Sequence, residues 1–266
     1  MSEKILVFIP MYNCAPQISR VLAQLQNPSF ASLFDGVVCV DNRSIDSTVA
    51  EAVSAMEGLS IPHRAVLLND DNYGLGGSHK AAISYSLKHN YDYLIVLHGD
   101  DQGSVSDLVP CIKAGLHRDL DCLLGSRFIS GSVRQGYSLL RTVANVVFNV
   151  IFSVVAGHCI YDLGSGLNMY RTAIFADNFH VKYADDLTFN YYLILGGYQK
   201  KLRTRFFPLT WREDGQVSNA KLFRQGLSMI KLLLHRLISP KGFMAAEHRA
   251  TPRLAYTSTV VREWGG

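Results

Sequence analysis

Short runs of hydrophobic residues alternate with amphipathic stretches along the first half of the chain. The runs lack strict polar–apolar alternation, which is typical of strands buried on both faces of a parallel sheet. They lie at residues 5–9, 36–40, 65–68 and 93–97. Helical spacing between them predicts helices at residues 15–26, 47–56 and 77–89. Repeated strand–helix–strand units with right-handed crossovers predict an α/β, doubly wound, Rossmann-like half.

The second half of the chain is less regular. The predicted elements are a strand at 123–125, helices at 139–155 and 186–195, a strand at 203–208 and an amphipathic helix at 221–237. The residues after Pro252 are expected to be loosely ordered. We therefore interpret residues 1–221 as one α/β domain, and residues 222–266 as a C-terminal amphipathic helix with a loosely ordered tail.

Charge and cysteine content narrow the range of partners. A formal charge of +4 among 266 residues is too small to indicate nucleic-acid binding, although it suits anionic substrates or a lipid surface. Five scattered cysteines without metal-type spacing predict reduced thiols in a cytoplasmic protein. No signal peptide is predicted at the N-terminus.

The longest apolar run, at residues 143–157, is shorter than the roughly 20 residues that a bilayer span needs. Asn145 and Asn149 also interrupt it, so a transmembrane helix is not predicted. Two alternatives remain for this run and for the C-terminal amphipathic helix. Both are ordinary core-facing helices, or both lie on a membrane surface.

Polar residues follow each of the first four predicted strands, where ligands bind in open α/β sheets. Asp100 and Asp101 end the fourth strand. Their hard oxygen ligands suit Mg²⁺ or Mn²⁺ at a diphosphate, and capping of the next helix is the alternative. Asp41 ends the second strand, where it either accepts hydrogen bonds from a base imide or ribose hydroxyl or caps a helix.

A glycine loop, Asn72-Tyr-Gly-Leu-Gly-Gly77, precedes the third predicted helix. Glycines permit close backbone approach to a phosphate, and a helix N-terminus favours an anion, although this signal alone is weak. A dinucleotide fingerprint belongs after the first strand, where this chain has Pro10-Met-Tyr-Asn. This difference argues against a nicotinamide-dependent oxidoreductase.

Seven motifs taken together resemble glycosyltransferase family 2, and most of all its polyprenyl-phosphate sugar synthases, which are similar to dolichyl-phosphate mannose synthase. The motifs cover residues 4–221 in the order of that family. They are Ile9-Pro-Met-Tyr-Asn13, Val40-Asp-Asn-Arg-Ser-Ile-Asp-Ser-Thr48, Asn72-Tyr-Gly-Leu-Gly-Gly77, His98-Gly-Asp-Asp-Gln102, Gly125-Ser-Arg-Phe128, Asp162-Leu-Gly-Ser-Gly166 and Phe207-Pro-Leu-Thr-Trp211.

The resemblance implies a single-domain GT-A fold: a mixed, mainly parallel sheet with helices on both faces. Residues 1–221 are then the glycosyltransferase catalytic domain. It also implies inverting transfer from a UDP- or GDP-sugar with Mg²⁺ or Mn²⁺. The implied metal ligands are Asp100 and Gln102. The implied nucleotide-binding residues are Pro10, Tyr12, Asn13, Asp41, Asn72, Gly74, Gly76, His98 and Gly99.

For the chemistry, the resemblance implies that Arg127 lies near the diphosphate or an acceptor phosphate. Asp162 and Asp186 are candidate bases, and capping a helix is the alternative for Asp186. An acceptor phosphate is already an anion, so it needs no strong base. The implied acceptor-binding residues are Ser165, Gly166, Arg134, Arg212 and Lys221.

Two positions depart from the family pattern. His98 replaces the first acid of the Asp-x-Asp motif, which softens the metal site and leaves this residue to contact the nucleotide instead. Asn42 replaces a frequent second aspartate, so the nucleobase of the bound donor cannot be assigned.

The preferred acceptor is a polyprenyl phosphate, with the protein cytoplasmic and peripheral at the inner face of the cell membrane. The alternatives are transfer to a saccharide hydroxyl of a surface glycan, and a non-catalytic sugar-nucleotide-binding protein. A homo-oligomer is compatible with each of these functions.

Overall fold

The computed structural model describes residues 3–213 and 222–265. The strands are β1 (Ile5–Met11), β2 (Gly36–Asp41), β3 (His63–Asn69), β4 (Tyr93–Leu97), β5 (Cys122–Ser126), β6 (Val133–Gln135), β7 (Leu167–Arg171), β8 (Thr204–Pro208), β9 (Thr210–Arg212) and β10 (Ser258–Trp264). The helices are α1 (Ala15–Ala23), α2 (Pro28–Ala31), α3 (Thr48–Glu57), α4 (Gly74–Lys88), α5 (Val109–Lys113), α6 (Leu139–Ala156), α7 (Phe189–Gln199), α8 (Leu222–Ile238) and α9 (Pro240–Ala245).

The main sheet has eight strands in the order β10-β3-β2-β1-β4-β7-β5-β8. Strands β3, β2, β1 and β4 are parallel, and β5 is parallel to β8. Strand β7 runs antiparallel between β4 and β5, and β10 runs antiparallel along β3. Strands β6 and β9 form a separate two-stranded parallel sheet. The predicted mixed, mainly parallel sheet is therefore confirmed.

Successive residues of β1 face opposite sides of the sheet, and every one of its residues is buried. Val7 and Ile9 belong to one hydrophobic cluster, and Leu6 and Phe8 belong to the other. Helices α1 and α3 contribute to the first cluster, whereas α4 and α7 contribute to the second. This two-sided burial explains the continuous apolar runs and confirms the predicted helices on both faces.

Strand β10 is a correction to the sequence interpretation, because the residues after Pro252 were expected to be loosely ordered. Instead, Ser258–Trp264 pairs with β3 from Asn69 to Arg64 and covers that edge of the sheet. Most of its side chains are exposed, so backbone hydrogen bonds rather than apolar burial hold it in place. An edge strand of this kind leaves no hydrophobic pattern, which is why the sequence did not reveal it.

Helix α6 does not fit the first of its two predicted alternatives, a core-facing helix. Only Asn149 and Phe152 are buried among its 18 residues. Its length and composition alone would allow it to cross a membrane. Only 11% of it is buried inside the protein, whereas the core helix of a globular protein is mostly buried. Its exposed large aliphatic side chains are Leu139, Leu140, Val143, Val146, Val147, Val150, Ile151 and Val154.

Helix α8 is amphipathic, as predicted, and it contacts α6. Met229, Leu232 and Leu233 pack into the core. Other large apolar residues of α8 are exposed, as are many of those of α6. Those of α8 are Leu227, Ile230, Leu234, Leu237 and Ile238.

Candidate active site

A cavity of about 420 Å³ lies beyond the carboxyl ends of β1, β2 and β4. Six of the predicted nucleotide-binding residues line it: Pro10, Tyr12, Asn72, Gly74, His98 and Gly99. The predicted metal ligand Asp100 lines it as well. No ligand contact is predicted from the sequence for the rest of the wall, which consists of Met11, Cys14, Asn42, Leu75, Ser78 and Leu187.

Asn42 is the centre of a hydrogen-bond network in the cavity wall. Its Nδ2 donates to Oδ1 of Asn72 (2.7 Å), while its Oδ1 accepts from the backbone N–H of Tyr73 (2.8 Å) and from Nδ2 of Asn69 (3.1 Å). Asn69 also donates to Oγ of Ser78. An aspartate at position 42 would accept from Asn69 and Tyr73, but it has no N–H to donate to Asn72.

Asp41 and Asn13 are not among the residues that line the cavity. Asp41 is fully buried and accepts from the backbone N–H and the hydroxyl of Ser44, at 2.8 and 2.5 Å. Asn13 has a left-handed backbone, φ 49°, and its side chain accepts from the N–H of Ile45. Both residues fix the turn after β2 in the structure, and their contact with a nucleoside stays a prediction.

The glycines of the 72–77 loop are explained by close packing. A Cβ on Gly74 would lie 2.4 Å from the carbonyl oxygen of Asp185, and a Cβ on Gly76 would lie 2.5 Å from that of Ala184. The N–H of Gly76 donates to the Asp185 carbonyl at 2.7 Å. The loop is therefore seated on the chain at 184–185, and of its predicted glycines only Gly74 reaches the cavity.

His98 presents a polar atom that the described residues leave unsatisfied. Its Nε2 is buried and has no hydrogen-bond partner there, while its backbone N–H donates to the carbonyl of Gly166 at 2.9 Å. Burial, with a smaller contribution from the charge of Arg127, lowers the pKa of His98 to about 4. At neutral pH, His98 is therefore a neutral group that can hydrogen-bond to a ligand.

The acids after β4 have different surroundings. Asp101 forms ion pairs with Arg20 at 2.8 Å and Arg212 at 3.3 Å. Oδ1 of Asp100 accepts from the backbone N–H of Gln102 (3.2 Å), and burial raises the pKa of Asp100 to about 6. Asp100 is therefore the acid whose charged form gains most from a nearby cation.

Within residues 3–213 and 222–265, no group of three or more His, Cys, Asp or Glu side chains is arranged to hold a metal ion. One carboxylate at the cavity suits a divalent ion that completes its shell with phosphate oxygens and water, as Mg²⁺ commonly does. The donor set therefore fits an ion held jointly by Asp100 and a bound diphosphate.

Arg127, whose charge acts on His98, forms a buried ion pair with Asp162. Nε and Nη2 of Arg127 donate to the two carboxylate oxygens at 2.8 and 2.7 Å. Asp162 also accepts from the backbone N–H groups of Arg127 and Gly164. The guanidinium lies 4.9 Å from the centre of the Trp211 ring. Because both oxygens are engaged, the geometry favours Asp162 as the residue that orients Arg127 rather than as a base.

Three of the other predicted acceptor residues, Ser165, Arg134 and Arg212, interact with groups of the protein itself. Ser165 is buried, and its hydroxyl donates to the Leu167 carbonyl at 3.2 Å. Arg134 donates to the carbonyl of Arg127. Arg212 pairs with Asp101 as described, and Lys221 lies outside the described residues.

Asp186 lies beside the cavity, between Asp185 and the cavity residue Leu187. Its Oδ1 accepts from the N–H and the hydroxyl of Thr188 at 2.8 and 2.5 Å, just before α7. Asp186 therefore makes the local hydrogen bonds of a helix start, and it is adjacent in sequence to a residue that lines the cavity.

A protein-family model described as Glycosyl transferase family 2 matches residues 6–179. The chain belongs to this family. Solved structures with similar folds include glucosyl-3-phosphoglycerate synthase from M. tuberculosis (16% identity, TM-score 0.61, 91% of this chain and 81% of that chain). Another is S. aureus TarS 1–349 with UDP-GlcNAc (18% identity, TM-score 0.57, 89% and 67%). These likenesses confirm the predicted GT-A fold.

Two curated relatives match about two thirds of this chain. An uncharacterised protein of Methanocaldococcus jannaschii is 26% identical over 63% of this chain and 65% of its own length. The UDP-N-acetylglucosamine–dolichyl-phosphate N-acetylglucosaminyltransferase of Methanococcus voltae is 22% identical over 64% of this chain and 70% of its own length. The chain thus spans about two thirds of the length of the curated relatives that it matches.

In this family 2 glycosyltransferase domain, the cavity residues that were not predicted differ in how clearly the sequence marks their positions. Asn42 follows directly after a strand-end aspartate, so its position was visible but its role was not. Ser78 lies one turn into a helix whose start was predicted three residues late. Leu187 is far from the other wall residues in sequence, and nothing in the local pattern marks it.

Proposed function

We propose that this domain transfers a sugar, with inversion, from a UDP- or GDP-sugar to a polyprenyl phosphate. The observation that carries the proposal is that the charge of Arg127 acts on His98, which lines the cavity together with Asp100. Arg127 is itself buried and paired with Asp162. A donor diphosphate at Asp100 and an anionic acceptor at Arg127 would then meet beyond the carboxyl ends of the sheet strands.

The donor side needs its negative charge offset when the nucleoside diphosphate leaves. A divalent ion held by Asp100, with Gln102 next to it, supplies that charge when bound. His98 offers a neutral hydrogen bond from the cavity wall. The synthase of M. tuberculosis supports this assignment by analogy of fold, because one of its crystal structures contains Mn²⁺ and UDP.

The acceptor side combines a cation with apolar surface. Arg127 is buried and fixed by Asp162, and Arg134 lies 5.5 Å from the Phe128 ring. A phosphate acceptor is already ionised, so the engagement of Asp162 with Arg127 is no obstacle to transfer. The relative from M. voltae is named for a dolichyl-phosphate acceptor, which supports the same class for this chain.

Helix α6 begins only a few residues after Arg134, with Arg141 in its first turn paired to Glu213 at 2.8 Å. Helices α6 and α8 contact each other, and both expose many large aliphatic side chains. Extensive exposed apolar area is typical of a surface that meets a membrane or another protein. We propose that these two helices lie on the inner face of the cell membrane, as interfacial helices do. A lipid-linked acceptor would then reach Arg127 from the membrane.

A saccharide hydroxyl is the second candidate acceptor, and one observation favours it. An open groove of about 760 Å³ begins at Phe128, next to Arg127, and its wall is rich in rings. The rings belong to Phe128, His158, Tyr161, Tyr198 and Phe206. A hydroxyl acceptor needs a base, and Asp186 beside the cavity is the candidate.

The test is a panel of UDP- and GDP-sugars with Mn²⁺, Mg²⁺ or EDTA, offered with short polyprenyl phosphates to the wild type and to Asp100→Ala. Metal-dependent formation of a polyprenyl-phosphate sugar by the wild type alone is the expected result. Nucleotide binding with transfer only to saccharides would move the assignment to the second candidate. Nucleotide binding without any transfer would favour a non-catalytic binding protein.

A further inference from the structure

Lys80 of α4 carries a buried amino group that the proposed chemistry does not use. Its side chain is 1% exposed. Nζ donates to Oδ1 of Asp185 at 2.6 Å, to the hydroxyl of Tyr256 at 3.3 Å and to the carbonyl of Tyr183. The hydroxyl of Tyr256 in turn donates to Oδ1 of Asp185 at 2.6 Å. A buried charge is costly unless it is paired in this way, so the cluster holds Asp185 tightly.

The backbone of Asp185 supports the donor cavity from the other side. Its carbonyl accepts from the N–H groups of Gly76 (2.7 Å) and Gly77 (3.3 Å) at the start of α4. The next two residues are Asp186, the candidate base, and Leu187, which lines the cavity. Whatever fixes the side chain of Asp185 therefore fixes both the glycine loop and the segment at 185–187.

Tyr256 reaches this cluster from the C-terminal segment at 246–264. That segment contacts residues next to the glycine loop and residues just before the 184–187 segment. Arg253 pairs with Asp71 at 2.7 Å, and the Tyr256 ring packs edge-on against Tyr73 at 5.3 Å. The N–H of His248 donates to the carbonyl of Lys182 at 2.8 Å, and β10 continues along β3.

We infer that Lys80 and Tyr256 are positioning residues which, through Asp185, hold Asp186, Leu187 and the glycine loop at the donor cavity. The C-terminal segment thereby completes the active site instead of serving as an appendage. This inference rests on glycosyl transfer at this cavity, and it does not depend on which acceptor is used.

Alternative roles for the cluster make different predictions. A contact that only stabilises the fold would change the melting temperature and leave turnover unchanged. A positioning contact changes turnover in a protein of nearly unchanged stability, because a displacement of about 1 Å at a reacting group lowers rates by up to roughly 100-fold.

Tyr256→Phe removes one hydroxyl and keeps the ring against Tyr73. Tyr85→Phe is the matched control. Tyr85 lies on α4, like Lys80, and its hydroxyl is hydrogen-bonded to Nε2 of His63 at 2.5 Å, outside the Asp185 cluster. We expect kcat to fall roughly tenfold or more in Tyr256→Phe with little change in donor KM, and to be unaffected in Tyr85→Phe.

The experiment measures kcat, donor KM and melting temperature for both variants, for Asp186→Asn and for Asp186→Asn combined with Tyr256→Phe. Rates are followed as sugar transfer and as release of nucleoside diphosphate without acceptor. Equal kcat in Tyr256→Phe and the wild type would overturn the inference. Where Asp186→Asn by itself lowers kcat, an action of Tyr256 through the 185–187 segment predicts that its substitution has little further effect in the double variant, and full additivity there would also overturn the inference.

Hydrogen exchange of the same proteins separates this inference from the proposed function. We expect faster amide exchange at residues 74–77 and 185–188 in Tyr256→Phe than in Tyr85→Phe. A wild type that turns over no donor would contradict the proposed function alone. Unchanged exchange in those two segments would contradict the positioning role, whatever the activity.

Discussion

Arg127 and Asp162 form a bidentate ion pair, with Nε–Oδ2 and Nη2–Oδ1 distances of 2.8 and 2.7 Å. Arg127 is 8% exposed and Asp162 is 2% exposed. The carboxylate consequently has two tasks: it neutralises the guanidinium, and it sets the plane in which that guanidinium faces an anion. A lysine cannot reproduce this arrangement, because an ammonium has no fork geometry.

Breaking this pair should destabilise the protein strongly. Asp162→Asn leaves a buried guanidinium without its counter-charge, which typically costs about 3–5 kcal/mol in the free energy of unfolding. Lys200→Met is the control, since it removes a more exposed pair with Asp177 and should cost less than about 1 kcal/mol. Urea denaturation measures both values. A loss of stability in Asp162→Asn no larger than in the control would contradict the structural role of the pair.

The paired substitution Arg127→Met with Asp162→Leu separates stability from activity. Removing both charges together should recover much of the lost stability, because buried pairs are often no better than well-packed apolar residues. Transfer should remain abolished if Arg127 binds the acceptor anion. Recovery of transfer along with stability would show that Arg127 has no role beyond the fold.

Much of the fold could be predicted from the sequence because its signals are local. The strands around Phe8 and Ile95 are buried on both faces, so continuous apolar runs mark them directly. The polar residues that follow these strands, such as Tyr12 and Asp100, could be predicted for the same reason. The glycines of the 72–77 loop stand out in the sequence, but the reason for them is not local. They leave room for the backbone at 184–185, which packs against the loop.

The rest depends on contacts between distant residues. No pattern near Tyr256 indicates that its hydroxyl meets Asp185, and β10 pairs through its backbone with few buried side chains. Helix α6 illustrates a different limit. A helix that is apolar on most sides has the same sequence pattern whether it is buried or membrane-facing, and only its 11% burial distinguishes these cases.

Divalent metal should bind tightly only together with a nucleotide. Asp100 is one carboxylate, and one carboxylate holds Mn²⁺ weakly until diphosphate oxygens complete the shell. We expect UDP or GDP to tighten Mn²⁺ binding by about tenfold or more in calorimetric titration, and Asp100→Asn to remove this gain. Asp101→Asn is the control, because that side chain pairs with Arg20 and Arg212. Tight Mn²⁺ binding in the absence of nucleotide would contradict this assignment.

The α6 surface should bind vesicles. Val147→Glu with Val150→Glu places two charges among exposed aliphatic side chains, so it should abolish binding to vesicles of anionic lipid while changing stability little. Leu254→Glu, at a fully exposed position outside α6 and α8, is the control and should bind like the wild type. Sedimentation with vesicles measures both. A concentration-dependent dimer that the double substitution disrupts, with no vesicle binding in the wild type, would indicate a second copy as the partner of this surface.

The pH dependence of turnover should report on Lys80. Burial lowers its pKa from an ordinary 10.5 to about 8, although the carboxylate of Asp185 opposes this shift. Arg249 also lowers the pKa, Glu247 raises it, and His180 and the Tyr256 hydroxyl lie nearby. As pH rises through about 8, Lys80 loses its proton and the ion pair with Asp185, so turnover should fall.

Stability should change in the opposite direction over the same range. Between pH 8 and 10.5 the unfolded chain keeps a proton on this lysine that the folded protein has released, so the Lys80 contribution to the free energy of unfolding rises with pH. Lys80→Met has no proton to lose, so its lower turnover should be independent of pH through this range. The measurement is kcat and urea denaturation of both proteins from about pH 7 to pH 10. A fall in turnover near pH 8 that persists in Lys80→Met would assign that titration to another group.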